Sequence, residues 1–333
     1  MQKLLLVDDE SKVLSSLARH LTDHFQVSCA EDGLEAIRIF EEEGPFPVVV
    51  SDMRMPGMDG MTLLHTLRRR VPETVCLVLS GQCDLKSLVM GVMKGDVFQF
   101  HSKPVAMEAL RDSIDRAYAQ YRKSRVGSLI DRERHWQMIY QTKPETSRSW
   151  FQERPATSMN LIRSAELGPQ TRVVDVGGGS SRLVDSLLDF GCGAVCVLDV
   201  ATEGLDEARD RLGTRADLVE WVVADVTLWH PIVPFDIWHD RALFHFLTDI
   251  SDRKTYMSVL RQALRPGGQA IIGAFSPDGP DRCSGMPVCR YDTRGLMDEL
   301  GPSFRLEEMV TEDHITPSGA VQKFQFCRAV KVA

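Results

Sequence analysis

No stretch of this 333-residue sequence comes near the ~20 apolar residues that a membrane-spanning helix requires. The opening MQKLLLVDDE has an apolar run too short for a secretory signal and then turns acidic, so a cytoplasmic protein is expected. A basic excess is also missing: 39 lysines and arginines stand against 47 acids, a formal net charge of −8. Nucleic-acid binding needs clustered positive charge against phosphates, so that class is disfavoured. The dense basic run Arg68-Arg69-Arg70 closes a helical stretch, where cations offset the negative end of the helix dipole. The eight cysteines (29, 76, 83, 192, 196, 283, 289 and 327) include no C-x-x-C pair, which argues against zinc and for reduced thiols. With 43% hydrophobic and 26% charged residues, the composition suits globular protein, and the length suggests two domains.

What the chain does have, from its start, is short apolar runs alternating with amphipathic stretches. Residues 4–7, 48–50 and 76–79 read as buried parallel strands, and 11–20, 33–42 and 61–70 as the helices between them. In such an α/β pattern, ligands sit at the carboxyl ends of the strands. Asp8, Asp9, Asp52, Ser80 and Lys103 fall at those ends. Crowded carboxylates repel unless a cation stands among them, and hard oxygen ligands suit Mg²⁺. A lysine neutralises a transferred phosphoryl group, a hydroxyl hydrogen-bonds it, and Asp52 would be the nucleophile that forms an aspartyl phosphate.

These positions resemble the two-component response-regulator receiver domain over about residues 1–123. The residues that carry the resemblance are Asp8-Asp9, SDMRMPGMDG around Asp52, Ser80-Gly81, and HSKP with Lys103 before Pro104. The resemblance implies a five-stranded parallel, flavodoxin-like sheet with Asp52 as phosphoacceptor. It implies Mg²⁺ held by Asp8, Asp9, Asp52 and the backbone carbonyl of Arg54, a cis Lys103–Pro104 peptide, and Phe100 as the aromatic switch. It also implies a sensor histidine kinase or phosphotransfer protein as partner, and it allows a homodimer through the receiver.

Residues 105–122 continue as an amphipathic helix, followed by RKSRVGSLIDRER, with Gly127 the one breaker before Pro144. Segment 124–135 is therefore either a helical continuation or a flexible tether.

A glycine cluster, DVGGGSSRL (175–183), follows a β-branched run and precedes a helical stretch, as a nucleotide loop must. The dinucleotide pattern G-x-G-x-x-G fails, because its third position is Arg182, too long for close helix–strand packing. No Gly-Lys-Ser/Thr follows, which excludes a P-loop. An acid, Asp175, stands two residues before the first glycine.

Acid-x-Gly-x-Gly after a first strand resembles the class I S-adenosylmethionine-dependent methyltransferases, and later landmarks agree in order. They are the strand 194–198 ending in Asp199, Ala224-Asp225-Val226, the strand 235–239, the turn 264–268 into 269–275, and a closing pair at 304–310 and 320–329. The third glycine of the pattern is here Ser181. The resemblance implies a seven-stranded, Rossmann-like domain over 136–333 with an antiparallel final strand. The whole is then two doubly wound α/β domains. S-adenosyl-L-methionine would meet Asp175, Gly177, Gly178, Gly179, Asp199, Val200, Asp225, Val226 and Trp150. HDRALFHFL faces the methyl group in this family, so His239 or Asp240 is expected to orient or deprotonate the acceptor. Asp240 has the alternatives of pairing with Arg241 or capping the turn that follows. Trp136 and Tyr140, one helical turn apart, either close over the cofactor or anchor a lid to the sheet.

The acceptor is a small molecule or a protein side chain, and the lack of an added substrate domain favours the small molecule. Nucleic-acid enzymes of this class carry Asn/Asp-Pro-Pro-aromatic or Pro-Cys after the fourth strand, and neither is present. CSGMPVCRY (283–291) is the expected substrate-side loop. Two functions follow: a response regulator whose output is methyl transfer, or a non-catalytic sensor of S-adenosylmethionine or S-adenosylhomocysteine. A transcription factor lacks its helix-turn-helix here. Asp52 phosphorylation is expected to bury Phe100 and to bias the output through the last receiver helix.

Overall fold

The structure is a computed structural model that describes residues 2–81, 97–165, 168 and 170–332; Cys83 lies outside them. The chain divides into two compact units, Met1–Ser128 with Asp249–Ser251, and Leu129–Thr248 with Asp252–Ala333.

In the first unit, β1 (Gln2–Val7), β2 (Phe25–Ala30), β3 (Val48–Asp52), β4 (Val75–Ser80) and β5 (Gln99–Ser102) form one parallel sheet in the order β2-β1-β3-β4-β5. VVVSD and VCLVLS are buried at every residue, because helices cover both faces of a central parallel strand. β2, reading FQVSCA, has no continuous apolar run and lies at the sheet edge. Helices Ser11–Leu21, Gly33–Glu43 and Gly60–Arg70 connect the strands. Asp32 and Asp59 start the second and third by accepting hydrogen bonds from Glu35 N at 2.8 Å and Thr62 N at 2.7 Å. The order reverses between β1 and β3, which places the switch point at Asp8 and Asp52.

A single 36-residue helix, Met107–Thr142, runs through Gly127 without interruption. No helix among the described residues is long and apolar enough to cross a membrane.

The second unit is built on a seven-stranded sheet in the order β13 (Phe304–Ile315), β14 (Val321–Lys331), β10 (Leu264–Phe275), β9 (Phe235–Arg241), β6 (Arg172–Val176), β7 (Ala194–Asp199) and β8 (Val219–Val223). β6, β7, β8, β9 and β10 are parallel. β14 pairs antiparallel with β10 and with β13. The expected turn 264–268 lies within β10 as a register shift between Leu264 and Gln269. The loop after β10 carries a small hairpin, β11 (Arg282–Cys283) with β12 (Met286–Pro287). Trp238 at the sheet centre is fully buried and donates to Tyr256 Oη at 2.8 Å, so its one polar atom is satisfied. The second switch point, between β6 and β9, opens at the glycine loop. The two doubly wound α/β domains expected from the sequence are present.

Candidate functional site

At the carboxyl edge of the first sheet the structure gathers Asp8, Asp52, Ser80 and Lys103. The first three are buried at the ends of β1, β3 and β4. Lys103 Nζ lies 2.6 Å from Asp8 Oδ2 and 2.7 Å from Asp52 Oδ1. Burial alone would lower the lysine pKa, but hydrogen bonds and charge from Asp52 and Asp8 outweigh it and raise the value. Asp52 Oδ2 accepts from Arg54 N at 3.0 Å, and Ser80 O accepts from Lys103 N at 2.8 Å. The Lys103–Pro104 peptide is cis. Phe100 is half-buried against the core between the sheet and its helices.

The Mg²⁺ expectation finds no support. Asp9 is exposed, and the ammonium of Lys103 already stands between Asp8 and Asp52. Among the described residues, no three His, Cys, Asp or Glu side chains form a group that could hold a metal ion.

In the second unit, the glycine loop leaves β6 against the end of β7. Gly177 N and Gly178 N donate to Leu198 O at 2.7 and 3.1 Å. Gly177 and Gly179 take φ of +71° and +46°, which glycine alone adopts without strain. A Cβ on Gly177 would lie 2.6 Å from Leu243 Cδ1, and one on Gly178 2.7 Å from Asp175 Oδ2. One on Gly179 would meet the Tyr140 hydroxyl. Asp199 is buried at the end of β7, and burial raises its carboxyl pKa to about 7. The N–H groups of Ala201, Val200 and Gly179 partly offset that rise, while the charge of Asp175 adds to it.

A cleft, open in part to solvent, lies in front of this edge. Gly177, Asp199, Val200, Asp225 and Val226 line one side, and Trp136, Tyr140 and Trp150 another. A second cleft is lined by Asp175, Gly177, Gly178 and Trp150. The expected cofactor residues are thus together on two clefts or, for Gly179, against the Tyr140 that lines the first. Asp175 Oδ2 is buried with no hydrogen-bond partner, a polar atom free to receive a donor from a ligand. Asp225 is already engaged: Oδ1 accepts from Thr227 N and Oγ1 at 2.9 and 2.6 Å, and Oδ2 faces Arg132 Nη1 at 2.7 Å.

His239 lines the second cleft, and both it and Asp240 are held by buried partners. His239 is 2% exposed, with Nδ1 2.7 Å from Asp175 Oδ1 and Nε2 2.9 Å from Ser158 Oγ, so both ring nitrogens are engaged. Asp240 is fully buried and accepts from Leu243 N (3.0 Å), Phe244 N (3.1 Å) and Tyr256 Oη (2.7 Å). Burial pushes its pKa up to about 6, against the pull of those donors. It serves the capping alternative. It does not pair with Arg241, because neighbours on a strand point to opposite faces.

Tyr140 does not lie open above the cleft. Its ring packs on Gly204 and under the Arg148 guanidinium, 4.6 Å from the ring centre. Trp136 stands edge-on to Trp150 and Phe246, with ring centres 5.8 and 4.9 Å away. Trp136, Tyr140 and Trp150 all line the first cleft as well.

Sequence reasoning missed Arg148. Fully buried, it holds Glu207 with both Nη atoms, donates to Ser180 Oγ at 2.8 Å, and donates to Tyr140 O at 2.9 Å. It therefore fastens the end of the long helix to the glycine loop. An arginine in a polar segment (TSRSW) carries no local signal for this. Ser158, in ATSMNLIR, was missed for the same reason. Cys283, from the expected substrate-side loop, does line the first cleft, and burial raises its thiol pKa.

Comparison with known proteins agrees with this division. Residues 4–115 match the family described as response regulator receiver domain, and residues 173–268 the family described as methyltransferase domain. The chain is 33% identical over 114 residues to the hydrogenase transcriptional regulatory protein HoxA of Cupriavidus necator, which covers 34% of this chain and 23% of that protein. It is 36% identical over 118 residues to the transcriptional regulatory protein GlrR of Escherichia coli, with 35% and 26% covered. The chain spans about a quarter of the length of these relatives. Among solved structures, the N-methyltransferase NodS from Bradyrhizobium japonicum is 16% identical, covers 54% of this chain and 96% of that chain, and has a TM-score of 0.44. The chain carries a response regulator receiver domain followed by a methyltransferase domain.

Proposed function

We propose that the protein is a two-component response regulator, phosphorylated on Asp52 by a histidine kinase or phosphotransfer protein, whose output is methyl transfer to a small molecule. In this reading the receiver takes residues 1–123, a connecting segment 124–135, and the methyltransferase 136–333. The observation that carries it is the glycine loop, hydrogen-bonded to the end of β7 beside the buried Asp199, and opening on the cleft that Asp199, Trp136 and Trp150 line. The residues present fit S-adenosylmethionine, on the evidence of the unpartnered Asp175 Oδ2 and a cradle that a Cβ on any of the three glycines would fill.

S-adenosylmethionine supplies a methyl group already activated on a sulfonium, so the protein has little covalent chemistry to perform. Asp199 would accept the ribose hydroxyls, and Gly177 to Gly179 would let the backbone approach the ligand. Trp136, Trp150, Leu243 and Phe246 would keep water from the reacting centre and align the acceptor. With His239 and Asp240 both fastened to buried partners, no general base is assigned to either.

That same fastening favours a second reading, in which the domain senses S-adenosylmethionine or S-adenosylhomocysteine without turnover. The test uses methyl-labelled S-adenosylmethionine with purified protein and a fractionated small-molecule extract. Label in a small-molecule product supports methyl transfer. Tight binding without turnover across extracts and protein acceptors favours the sensor.

A further inference from the structure

Arg241 ends β9 with its side chain nine-tenths buried, and it lines both clefts. Its guanidinium donates to Trp150 O at 3.1 Å and to Glu312 Oε1 at 3.3 Å, while Nε is buried with no partner. A guanidinium has five N–H donors in a planar fork that matches a carboxylate. Burying such a cation costs several kcal/mol unless charge and hydrogen bonds are both answered.

The other buried arginine on these walls, Arg148, also keeps a buried Nε without a partner, but its charge is answered by Glu207 bound through both Nη atoms. Arg241 has one long contact to an oxygen that Glu312 also shares with Gln152 Nε2 at 2.9 Å. Its face rests 4.6 Å above the Phe324 ring. The next residue, Ala242, sits at φ +72°, a left-handed conformation that an ordinary residue adopts only under strain. Ala242 N is tied to Gly273 O at 2.9 Å, so the turn directly after Arg241 is held in place. The cleft in front is walled by Trp136, Trp150, Leu243, Phe246 and Cys283.

We propose that Arg241 is a specificity-determining residue for the methyl acceptor, and that the acceptor is a planar aromatic small molecule carrying a carboxylate. The inference rests on the methyltransferase reading above. The aromatic walls take the ring, and the guanidinium takes the anion. Because Arg241 also faces the glycine-loop cleft, the carboxylate of the cofactor's amino-acid end is the other source of the same chemistry.

The experiment is calorimetry on the full-length protein, saturated with S-adenosylhomocysteine, using benzoate and the neutral, similarly shaped benzamide as probes. The expected result is benzoate binding about 10-fold or more tighter than benzamide, the scale of one charge-assisted hydrogen-bonded pair. Arg241→Gln removes that preference and Arg241→Lys keeps part of it, while affinity for S-adenosylhomocysteine stays within about threefold of wild type. Thermal unfolding of both variants reports their folding, and the wild-type comparison needs no variant.

Equal binding of the two probes, no benzoate binding, or a preference that survives Arg241→Gln overturns the proposal. A loss of S-adenosylhomocysteine affinity in Arg241→Gln, with benzoate unaffected, gives the guanidinium to the cofactor and also overturns it. Wild-type protein that fails to bind S-adenosylhomocysteine overturns the methyltransferase reading instead, and the probe comparison without it still decides the anion site.

Discussion

His239 Nδ1 lies 2.7 Å from Asp175 Oδ1, which joins the end of β9 to the acid that precedes the glycine loop. With Ser158 on the other ring nitrogen, the histidine is a brace under the loop. His239→Ala strands a buried carboxylate oxygen and a buried hydroxyl, each costing about 1–3 kcal/mol when left without a partner. The expected outcome is a loss of stability on that scale in denaturant unfolding, with cofactor affinity falling alongside. A variant as stable as wild type, with only the methylation rate reduced, would return His239 to the role of base.

Asp199 titrates near neutrality in the cofactor-free protein, because burial raises its pKa to about 7. The sign for folding follows: the native carboxyl holds its proton more tightly than an unfolded one, so stability falls as pH rises from about 4 through 7. Cofactor binding runs the other way if the carboxylate accepts the ribose hydroxyls. Affinity for S-adenosylmethionine is expected to rise between pH 6 and 8, with proton release on binding visible in buffers of different ionisation enthalpy. Asp199→Asn flattens that profile, and Asp199→Ala weakens binding by about 1.5–3 kcal/mol.

Gly177→Val abolishes cofactor binding while leaving Asp52 phosphorylation intact. The obstacle is Leu243, 2.6 Å from any Cβ at this position, together with φ of +71°. Phosphate uptake from a small acyl phosphate, measured beside cofactor calorimetry, checks both halves. Loss of both activities would show that the domains do not behave independently.

Gly127→Ala stabilises the helix Met107–Thr142. Nothing stands within 4 Å of a Cβ there, and alanine in a helix interior is favoured over glycine by about 0.5–1 kcal/mol. A shift of the denaturation midpoint to higher concentration is the expected reading.

Phosphorylation of Asp52 is expected to change methylation rate or cofactor affinity by roughly 5- to 150-fold, the usual scale of coupling between sites. Comparing protein with and without a phosphoryl mimic at Asp52, with Asp52→Ala as control, measures it. Identical values in every state would leave the receiver to govern partners or location.

Both sheets were legible in the amino-acid order because their signals are local. Residues 172–176 and 194–198 are short apolar runs with an acid or glycine at the carboxyl end, and a buried parallel strand needs little else to be seen. β2 and β5, the two edge strands of the first sheet, escaped: Gln26 and Ser28 break the apolar run of β2, and QFHS holds a single apolar residue. The segment 264–268, read as a turn before the strand, instead lies inside β10, with Leu264 paired to Phe235 and a register shift before Gln269.

The chemistry-bearing positions divide the same way. Asp52, Asp175, the three glycines and Asp199 follow from strand ends and turn geometry, which a dozen neighbouring residues dictate. Lys103 between Asp8 and Asp52, His239 between Asp175 and Ser158, and the half-answered Arg241 do not. Lys103 stands 95 residues from Asp8, His239 64 from Asp175 and 81 from Ser158, and Arg241 71 from Glu312. Which nitrogen meets which oxygen depends on how strands register and how deeply each side chain is buried, and only the assembled tertiary structure sets both.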